Sequence, residues 1–193
     1  MTISSVKTGA IGDSLLAGNA FFQPTSFESI ATLTAAGGET SLTFSSIPST
    51  YASLQIRYHA KRGDGGVGVI ILRPNGSTTT SDYAYHYLRG TGSAVSAFGT
   101  TGTFGMYLTQ ISGTGYSGSG VGIIDIHDYA STTKAKTVRC LGGFDDNAVG
   151  LSRIDLNSGL YIPTTAISSL QVFFGGDTVA SGSVFSLYGI KGS

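Results

Sequence analysis

Hydrophobic and polar residues alternate along most of the chain. In the stretch SFESIATLTA, residues 26–35, Phe27 and Leu33 fall on one side of an extended backbone, whereas Glu28 and Thr32 fall on the other. Successive side chains of a β-strand point to opposite faces, so a period of two predicts strands. Similar segments between turn residues predict about ten strands, over residues 26–35, 40–47, 52–62, 67–74, 82–90, 103–111, 120–130, 135–144, 150–162, 166–176 and 183–190.

Glycine-rich turns separate the predicted strands. The Gly37–Gly38 pair predicts a hairpin between the first two strands, and PNGS at residues 74–77 predicts a second turn. The Gly/Ser/Thr-rich stretch before residue 103 predicts a loop. Residues 67–74 are apolar on both faces, which predicts a central strand that is covered on both sides.

The strand pattern predicts one all-β domain with a jelly-roll-like antiparallel β-sandwich fold. No segment has helical periodicity beyond a turn or two, and no unit of 20 to 50 residues recurs, which disfavours propellers and solenoids. A double-sheet jelly roll fits this number of strands best, and a closed barrel is the alternative. The sandwich is expected over residues 26–193, preceded by an extended N-terminal arm over residues 1–25.

The charge content is low for a globular protein. Eleven basic and eleven acidic residues give a net charge of zero, and charged residues make up 11% of the chain, against about 25% in an ordinary domain. The basic residues are scattered, so neither a nucleic acid nor a membrane surface is expected as a partner. A surface with so few charges is expected to be covered by partner proteins or by copies of the chain.

Cysteine content and hydropathy narrow the classes of protein further. Cys140 is the single cysteine, which excludes an intrachain disulfide and a cysteine-rich zinc site. The sequence contains no run of eighteen apolar residues, so it predicts no membrane-spanning helix. Glycines and polar residues near the N-terminus disfavour a signal peptide. We therefore expect a soluble protein.

The N-terminal arm is unusually apolar for a segment that precedes the folded domain. The stretch IGDSLLAGNAFFQPTSF carries Leu15, Leu16, Phe21 and Phe22. Segments that stay disordered in water are depleted in bulky apolar side chains. Twenty-five extended residues could span up to about 85 Å, well beyond a domain radius of roughly 16 Å. We expect these four residues to anchor the arm in a groove on a neighbouring protein.

No combination of residues predicts catalysis or a metal site. Asp125 and His127 share a strand face, but two ligands are too few for a metal. The glycine-rich loop at residues 113–120 lacks the Lys and the following helix of a phosphate loop. The acidic FDDN stretch at residues 144–147 is expected to be a turn, and no GxSxG motif occurs. We expect no enzymatic activity and no cofactor.

Tyrosines recur at every second position of one predicted strand. Tyr83, Tyr85 and Tyr87 fall on one face, and Tyr107 lies on a later strand. These rings could form a platform that faces a glycan. The simpler alternative is that they cap the edge of the core with their hydroxyls pointing outward.

Several stretches resemble a family of virion proteins. SFESIATLTAAGGETSLTFSSIPSTYASLQIRY, YLRGTGS, DIHDYASTTKAKTV and FSLYGIK together extend over about residues 26–191. They are similar to β-rich structural proteins of tailed bacteriophages, including cyanophages. The resemblance implies a jelly-roll-like virion component, and it assigns no functional residue because the shared motifs are turn and strand signatures.

The resemblance leaves two functions open. A compact domain with an apolar arm favours a capsid decoration or cement protein that attaches to other virion proteins, most of all the major capsid protein, and stabilises the shell. Such a protein would be located in the virion after assembly in the host cytoplasm. A homo-oligomer is expected, with a trimer suggested by the three-fold positions of capsid lattices. The alternative is a tail-fibre or baseplate component that binds host-surface glycans.

Overall fold

The computed structural model describes residues 26–146 and 152–192, and these residues form twelve β-strands in two antiparallel sheets. A short 3-10 turn over Thr80–Asp82 precedes the fifth strand. The strands are β1 (Phe27–Thr34), β2 (Ser41–Phe44), β3 (Ser53–Ala60), β4 (Gly68–Pro74), β5 (Tyr83–Gly90), β6 (Val95–Thr101), β7 (Met106–Ile111), β8 (Gly120–His127), β9 (Lys136–Phe144), β10 (Arg153–Tyr161), β11 (Leu170–Phe173) and β12 (Val184–Ile190).

The strand order is that of a jelly roll with an extension on one sheet. The large sheet has the order β1-β12-β3-β8-β9-β10-β5-β6, and the small sheet has the order β2-β11-β4-β7. The four strands β1, β12, β3 and β8 and the four strands of the small sheet together have the strand order of an eight-stranded jelly roll. β9 and β10 of the large sheet also pack against β7. The predicted β-sandwich is confirmed, and the alternative of a closed barrel is wrong because the strands form two separate sheets.

Two inserted strand pairs widen the large sheet. The pair β5–β6 is inserted between β4 and β7, and the pair β9–β10 is inserted between β8 and β11. Both insertions join the large sheet at the same end, where β10 pairs with β5. The large sheet therefore extends past the edge of the small sheet, which ends at β7.

The two predicted turns have different outcomes. The PNGS turn is confirmed, and Asn75 and Gly76 have positive φ angles of 52° and 64°. The Gly37–Gly38 turn is present, with φ angles of 103° and 92°, but the predicted hairpin is wrong. β1 pairs with β12 and β2 pairs with β11, so this turn carries the chain from the large sheet to the small one. Periodicity identifies strands, whereas pairing partners depend on contacts that are distant in sequence.

The core lies between the two sheets and is built from their inward-facing side chains. Leu54 and Ile56 of β3 have no exposed surface, and neither has Ile70 or Leu72 of β4. Burial of each such side chain stabilises the fold by about 1.5–3 kcal/mol. β4 lies between β11 and β7, and Ile71, on its other face, is also buried. The predicted central strand is therefore confirmed.

β6 lies in the stretch for which the sequence predicts a loop, and that prediction is wrong. Six of its seven residues are exposed, and the seventh is only partly buried. A strand that buries neither face needs no alternation of apolar and polar residues. Its sequence, VSAFGTT, therefore carries no periodic signal.

Candidate functional site

The outer face of the large sheet carries a continuous apolar strip. The strand register places Ile123 opposite Leu141, and Leu141 opposite Leu156. Leu156 in turn lies opposite Leu88. We call the following six residues the outer strip: Leu88, Val121, Ile123, Leu141, Ile154 and Leu156. Their exposed fractions run from 39% to 60%. Contiguous exposed apolar surface of this kind marks interaction sites.

β10 presents its aliphatic side chains to solvent and buries an acidic and an amide side chain. Ile154 and Leu156 are 60% and 54% exposed, whereas Asp155 and Asn157 are 0% and 2% exposed. Burial of a carboxylate or an amide costs free energy unless the group is paired. A strand that served the sandwich alone would place its apolar side inward. The reversed pattern indicates that the outer face of β10 has a role besides packing the core.

An open groove of about 900 Å³ runs along part of the outer strip, where Val121, Ile123, Leu141 and Ile154 line it. In this row of the sheet, Val121 lies opposite Gly143, which lies opposite Ile154. Ile154 in turn lies opposite Gly90. Because glycine has no side chain, only Val121 and Ile154 project from this row, and the Ile154 side chain lies beside Gly90. The groove between the projecting side chains gives a surface into which the side chains of a partner can pack.

Polar side chains border the outer strip. Arg57 of β3 lies opposite Ile123, and its Nε donates to Gln55 Oε1 at 2.8 Å. Gln55 Nε2 donates to Asp125 Oδ1 at 2.7 Å, and Arg139 lies opposite Asp125 on the next strand. An apolar centre with a hydrogen-bonded polar rim is the usual composition of a protein–protein interface.

Four aromatic rings gather where the large sheet passes the edge of the small one. We call Tyr85, Tyr87, Phe98 and Tyr107 the aromatic corner. The Tyr107 ring stacks on both strand tyrosines, with centroid distances of 5.6 Å to Tyr85 and 5.4 Å to Tyr87. Phe98 is 50% exposed, and its centroid lies 5.7 Å from that of Tyr87. Partly exposed ring faces with nearby hydroxyls could pack against the apolar face of a sugar.

A buried ion pair lies beneath the aromatic corner. Arg89 Nε donates to Asp155 Oδ1 at 2.6 Å, and Arg89 Nη2 donates to the Tyr107 hydroxyl at 2.7 Å. Burial opposes the charge on Arg89, but the hydrogen bonds to Asp155 and Tyr107 outweigh it and raise the pKa of Arg89 above its usual value. Burial also raises the pKa of Tyr107 to about 12. Asp155 has no exposed surface, and through Arg89 this pair holds the Tyr107 ring in position.

The predicted arm and its anchors, Leu15, Leu16, Phe21 and Phe22, lie outside the described residues. Their contact with a neighbouring protein therefore stays a prediction. The described chain begins at Ser26, and β1 follows at Phe27 on the edge of the large sheet.

The three tyrosines of β5 share one face, but they lie in different environments. Tyr83 has no exposed surface, and its hydroxyl donates to Ser77 O at 2.8 Å. Its ring packs against Tyr161 with a centroid distance of 5.5 Å. Tyr83 therefore cannot meet a glycan at the surface, and we remove it from the glycan-facing set. Tyr85 and Tyr87 are partly buried in the aromatic corner and remain in that set.

The acidic motifs do not assemble a metal site in the described part of the chain. Among residues 26–146 and 152–192, no three His, Cys, Asp or Glu side chains are grouped so that they could hold an ion. Asp125 is bonded to Gln55 in the polar rim. Asp146 Oδ1 accepts from the backbone N–H of Ser117 at 2.6 Å and so holds the glycine-rich loop.

No family model matches this chain, and no curated protein matches its sequence. In the ranges that the structure describes, no helix is long and apolar enough to cross a membrane. Function is therefore inferred from the fold and from the two surfaces described above.

The sequence pattern misses the outer strip for a physical reason. In β10, alternation assigns Ile154 and Leu156 to the core, because apolar side chains normally face inward. A usable signal lies in β8, where Ile123 and Ile124 are neighbours and therefore point to opposite faces. A strand that is apolar on both faces is expected to be covered by protein on both faces. The sandwich covers the Ile124 face alone and leaves the Ile123 face exposed.

Proposed function

We propose that this chain is a non-enzymatic structural protein of a bacteriophage virion. In this proposal it is a decoration or cement protein that attaches to other virion proteins, in the first place the major capsid protein. The observation that carries the proposal is the reversed pattern of β10, which exposes the centre of the outer strip. The low charge content of the chain also supports it.

Attachment uses two surfaces in this proposal. The outer strip supplies a broad apolar face, and residues 1–25 supply an arm whose anchors are Leu15, Leu16, Phe21 and Phe22. A broad face and an arm together bind more tightly than either alone, because the second contact forms within the same complex. Shell stabilisation follows, since a protein that binds the assembled state alone lowers the free energy of that state.

The outer strip is tested by adding the purified protein to virions that lack it. Leu141→Lys places a charge at the centre of the strip, where the side chain is 53% exposed. We expect occupancy on the particles to fall at least tenfold, because a desolvated unpaired charge costs several kcal/mol. Ile162→Lys is the matched control, since Ile162 is 47% exposed and lies outside the strip. Equal occupancy of the two variants would count against attachment through the strip.

The arm is tested separately by a chain that lacks residues 1–25. We expect this chain to keep the sandwich fold, measured by circular dichroism and thermal unfolding, and to lose binding to virions. Full occupancy by the shortened chain would remove the arm from the proposal and leave the outer strip as the attachment surface.

The alternative function is the binding of host-surface glycans by a tail fibre or baseplate. The aromatic corner favours it, because Tyr85, Tyr87 and Phe98 offer partly exposed rings at one site. A glycan array should then respond to Tyr85→Ala and Tyr87→Ala but not to Tyr188→Ala, which changes a tyrosine that packs on Phe27. Immunogold labelling of virions separates the two functions, since it shows whether the protein lies on the head or on the tail.

A further inference from the structure

β6 is an edge strand without the usual protection. It pairs with β5 on one side and is the last strand of the large sheet. The opposite edge strand, β1, has a bulge between Ser29 and Ala31, and its Glu28 pairs with Lys191. β6 carries no charge and no proline, and its register with β5 has no shift. Natural edges are blunted by charges, prolines or bulges, because an open edge accepts another strand.

The hydrogen bonds at the ends of the β5–β6 hairpin show which backbone groups face outward. Thr91 N donates to Ala94 O at 2.9 Å, and Gly102 N donates to Tyr83 O at 3.1 Å. Bonded and non-bonded pairs alternate in an antiparallel ladder, so the even-numbered residues of β6 bond to β5. The N–H and C=O groups of the odd-numbered residues, from Val95 to Thr101, therefore point away from the sheet. Thr101 O also accepts from Thr100 Oγ1 at 3.2 Å and keeps a second lone pair.

We propose that β6 pairs antiparallel with β6 of a second copy of this chain, about a two-fold axis at Phe98. In this register Val95 of one copy lies opposite Thr101 of the other, and Ala97 lies opposite Gly99. All four outward-facing residues then occupy hydrogen-bonded positions. Phe98 of one copy lies directly opposite Phe98 of the other in a non-bonded position, where side chains approach most closely. The two large sheets become one continuous sheet.

The chemistry of β6 is self-complementary, which favours a second copy as the occupant. Because the strand has no charged side chain, no like charges meet across the axis. Phe98 is 50% exposed in one copy and gains an aromatic neighbour in the pair. A two-fold interface uses the same patch on both subunits, as this register does. This proposal of a two-fold pair differs from the expectation of a trimer, and it does not depend on attachment to a virion.

The first test is the mass of the purified full-length chain, measured by size-exclusion chromatography with light scattering. The expected mass is twice the 19.8 kDa of one chain. Ala97→Pro removes one outward N–H and leaves the β5 ladder intact, and proline is tolerated at such edge positions. We expect this variant to run as a monomer, whereas Leu88→Lys on the outer strip stays a dimer. A monomeric or trimeric unmodified chain would overturn the proposal.

The second test examines the register by disulfide formation under mild oxidation. In Phe98→Cys the two new thiols lie on residues with Cα atoms about 4.5 Å apart, within the range of a disulfide. Val95→Cys is the control, because Val95 is more exposed at 76% but its two copies lie about 20 Å apart in this register. Cys140 is buried, and burial raises the pKa of its thiol, so it does not compete.

Non-reducing electrophoresis measures the fraction of each variant that forms a disulfide-linked dimer. Rapid cross-linking of Phe98→Cys with little cross-linking of Val95→Cys is the expected outcome. Equal rates for the two variants would mean random collision, and faster cross-linking of Val95→Cys would mean another register. Either result overturns the two-fold pairing at Phe98. Pairing of β6 with a different protein would appear as a monomeric chain in the first test.

Discussion

Asp155 connects strands of both sheets through one carboxylate. It lies on β10, accepts two hydrogen bonds from Arg89 on β5, and accepts a third from the backbone N–H of Gln110 on β7. β5 and β10 belong to the extension of the large sheet, and β7 is the edge of the small sheet. This side chain therefore holds the extension against the sandwich.

Replacement of Asp155 by alanine should destabilise the protein strongly. The change leaves the guanidinium of Arg89, which is 9% exposed, without its charged partner. Loss of one partner from a buried pair lowers the free energy of unfolding by about 3–5 kcal/mol. Lys134→Ala breaks an exposed pair with Asp128 and serves as the control, with little expected change. Urea denaturation measures both, and similar losses would contradict a structural role for the buried pair.

The tyrosines of the interior predict a loss of stability at alkaline pH. Burial raises the pKa values of Tyr83 and Tyr107 to about 12, whereas tyrosine in an unfolded chain ionises near pH 10. Their contribution to stability is complete below about pH 10 and is lost as the pH rises through about 12. Denaturation at several pH values in this window, with tyrosinate absorbance, measures the effect. Tyr107→Phe should reduce the loss of free energy of unfolding between about pH 10 and about pH 12. A free energy of unfolding that stays constant across this range would refute the prediction.

At the scale of the element, β6 and β10 mark the limit of what the sequence predicts. Every strand except β6 buries at least one residue or part of one face, and the sequence predicts each of them, β4 from an apolar run and the others from alternation. β6 buries neither face and was predicted as a loop. β10 was located, but the orientation of its faces depends on Arg89 and Gln110, whose approach no local pattern encodes. The fold class follows from periodicity, whereas the outer strip follows from pairing and register.

The direction of the N–H groups in β6 predicts different effects for two neighbouring prolines. Ser96→Pro removes a donor that bonds to β5, so the free energy of unfolding should fall by about 1 kcal/mol or more. Ala97→Pro removes an outward donor and should change the stability of the single chain much less. Thermal unfolding at low protein concentration, where pairing between copies contributes least, measures both. Equal losses would show that the alternation in β6 is assigned wrongly.

At the scale of the whole molecule, the first and last described strands, β1 and β12, pair with each other in the large sheet. β12 lies between β1 and β3, and its Leu187 pairs with Ala31 on one side and Ile56 on the other. Contacts between residues so far apart in sequence make folding of such sandwiches slow, typically milliseconds to seconds.

Loss of β12 should therefore prevent folding of the whole domain. A chain that ends before Val184 leaves β1 without its pairing partner and opens the core at Phe185 and Leu187, both fully buried. We expect no cooperative thermal transition and no near-ultraviolet circular dichroism from this chain. A chain that ends after Ile190 keeps β12 and should unfold cooperatively. A cooperative transition in the shorter chain would contradict this prediction, because it would show that the remaining strands fold without β12.

Of the two insertions in the large sheet, the β5–β6 pair depends on the β9–β10 pair for its place in the sheet, and the reverse does not hold. The β9–β10 pair has β8 as a neighbour in the jelly roll, whereas the β5–β6 pair meets the sheet through β10 alone. A descendant of this chain could lose β5–β6 and keep β9–β10, provided that Asp155 changed with it. The reverse loss would leave β5–β6 with nothing to join. The outer hairpin β5–β6 is therefore the first part to remove in building a minimal version of the domain.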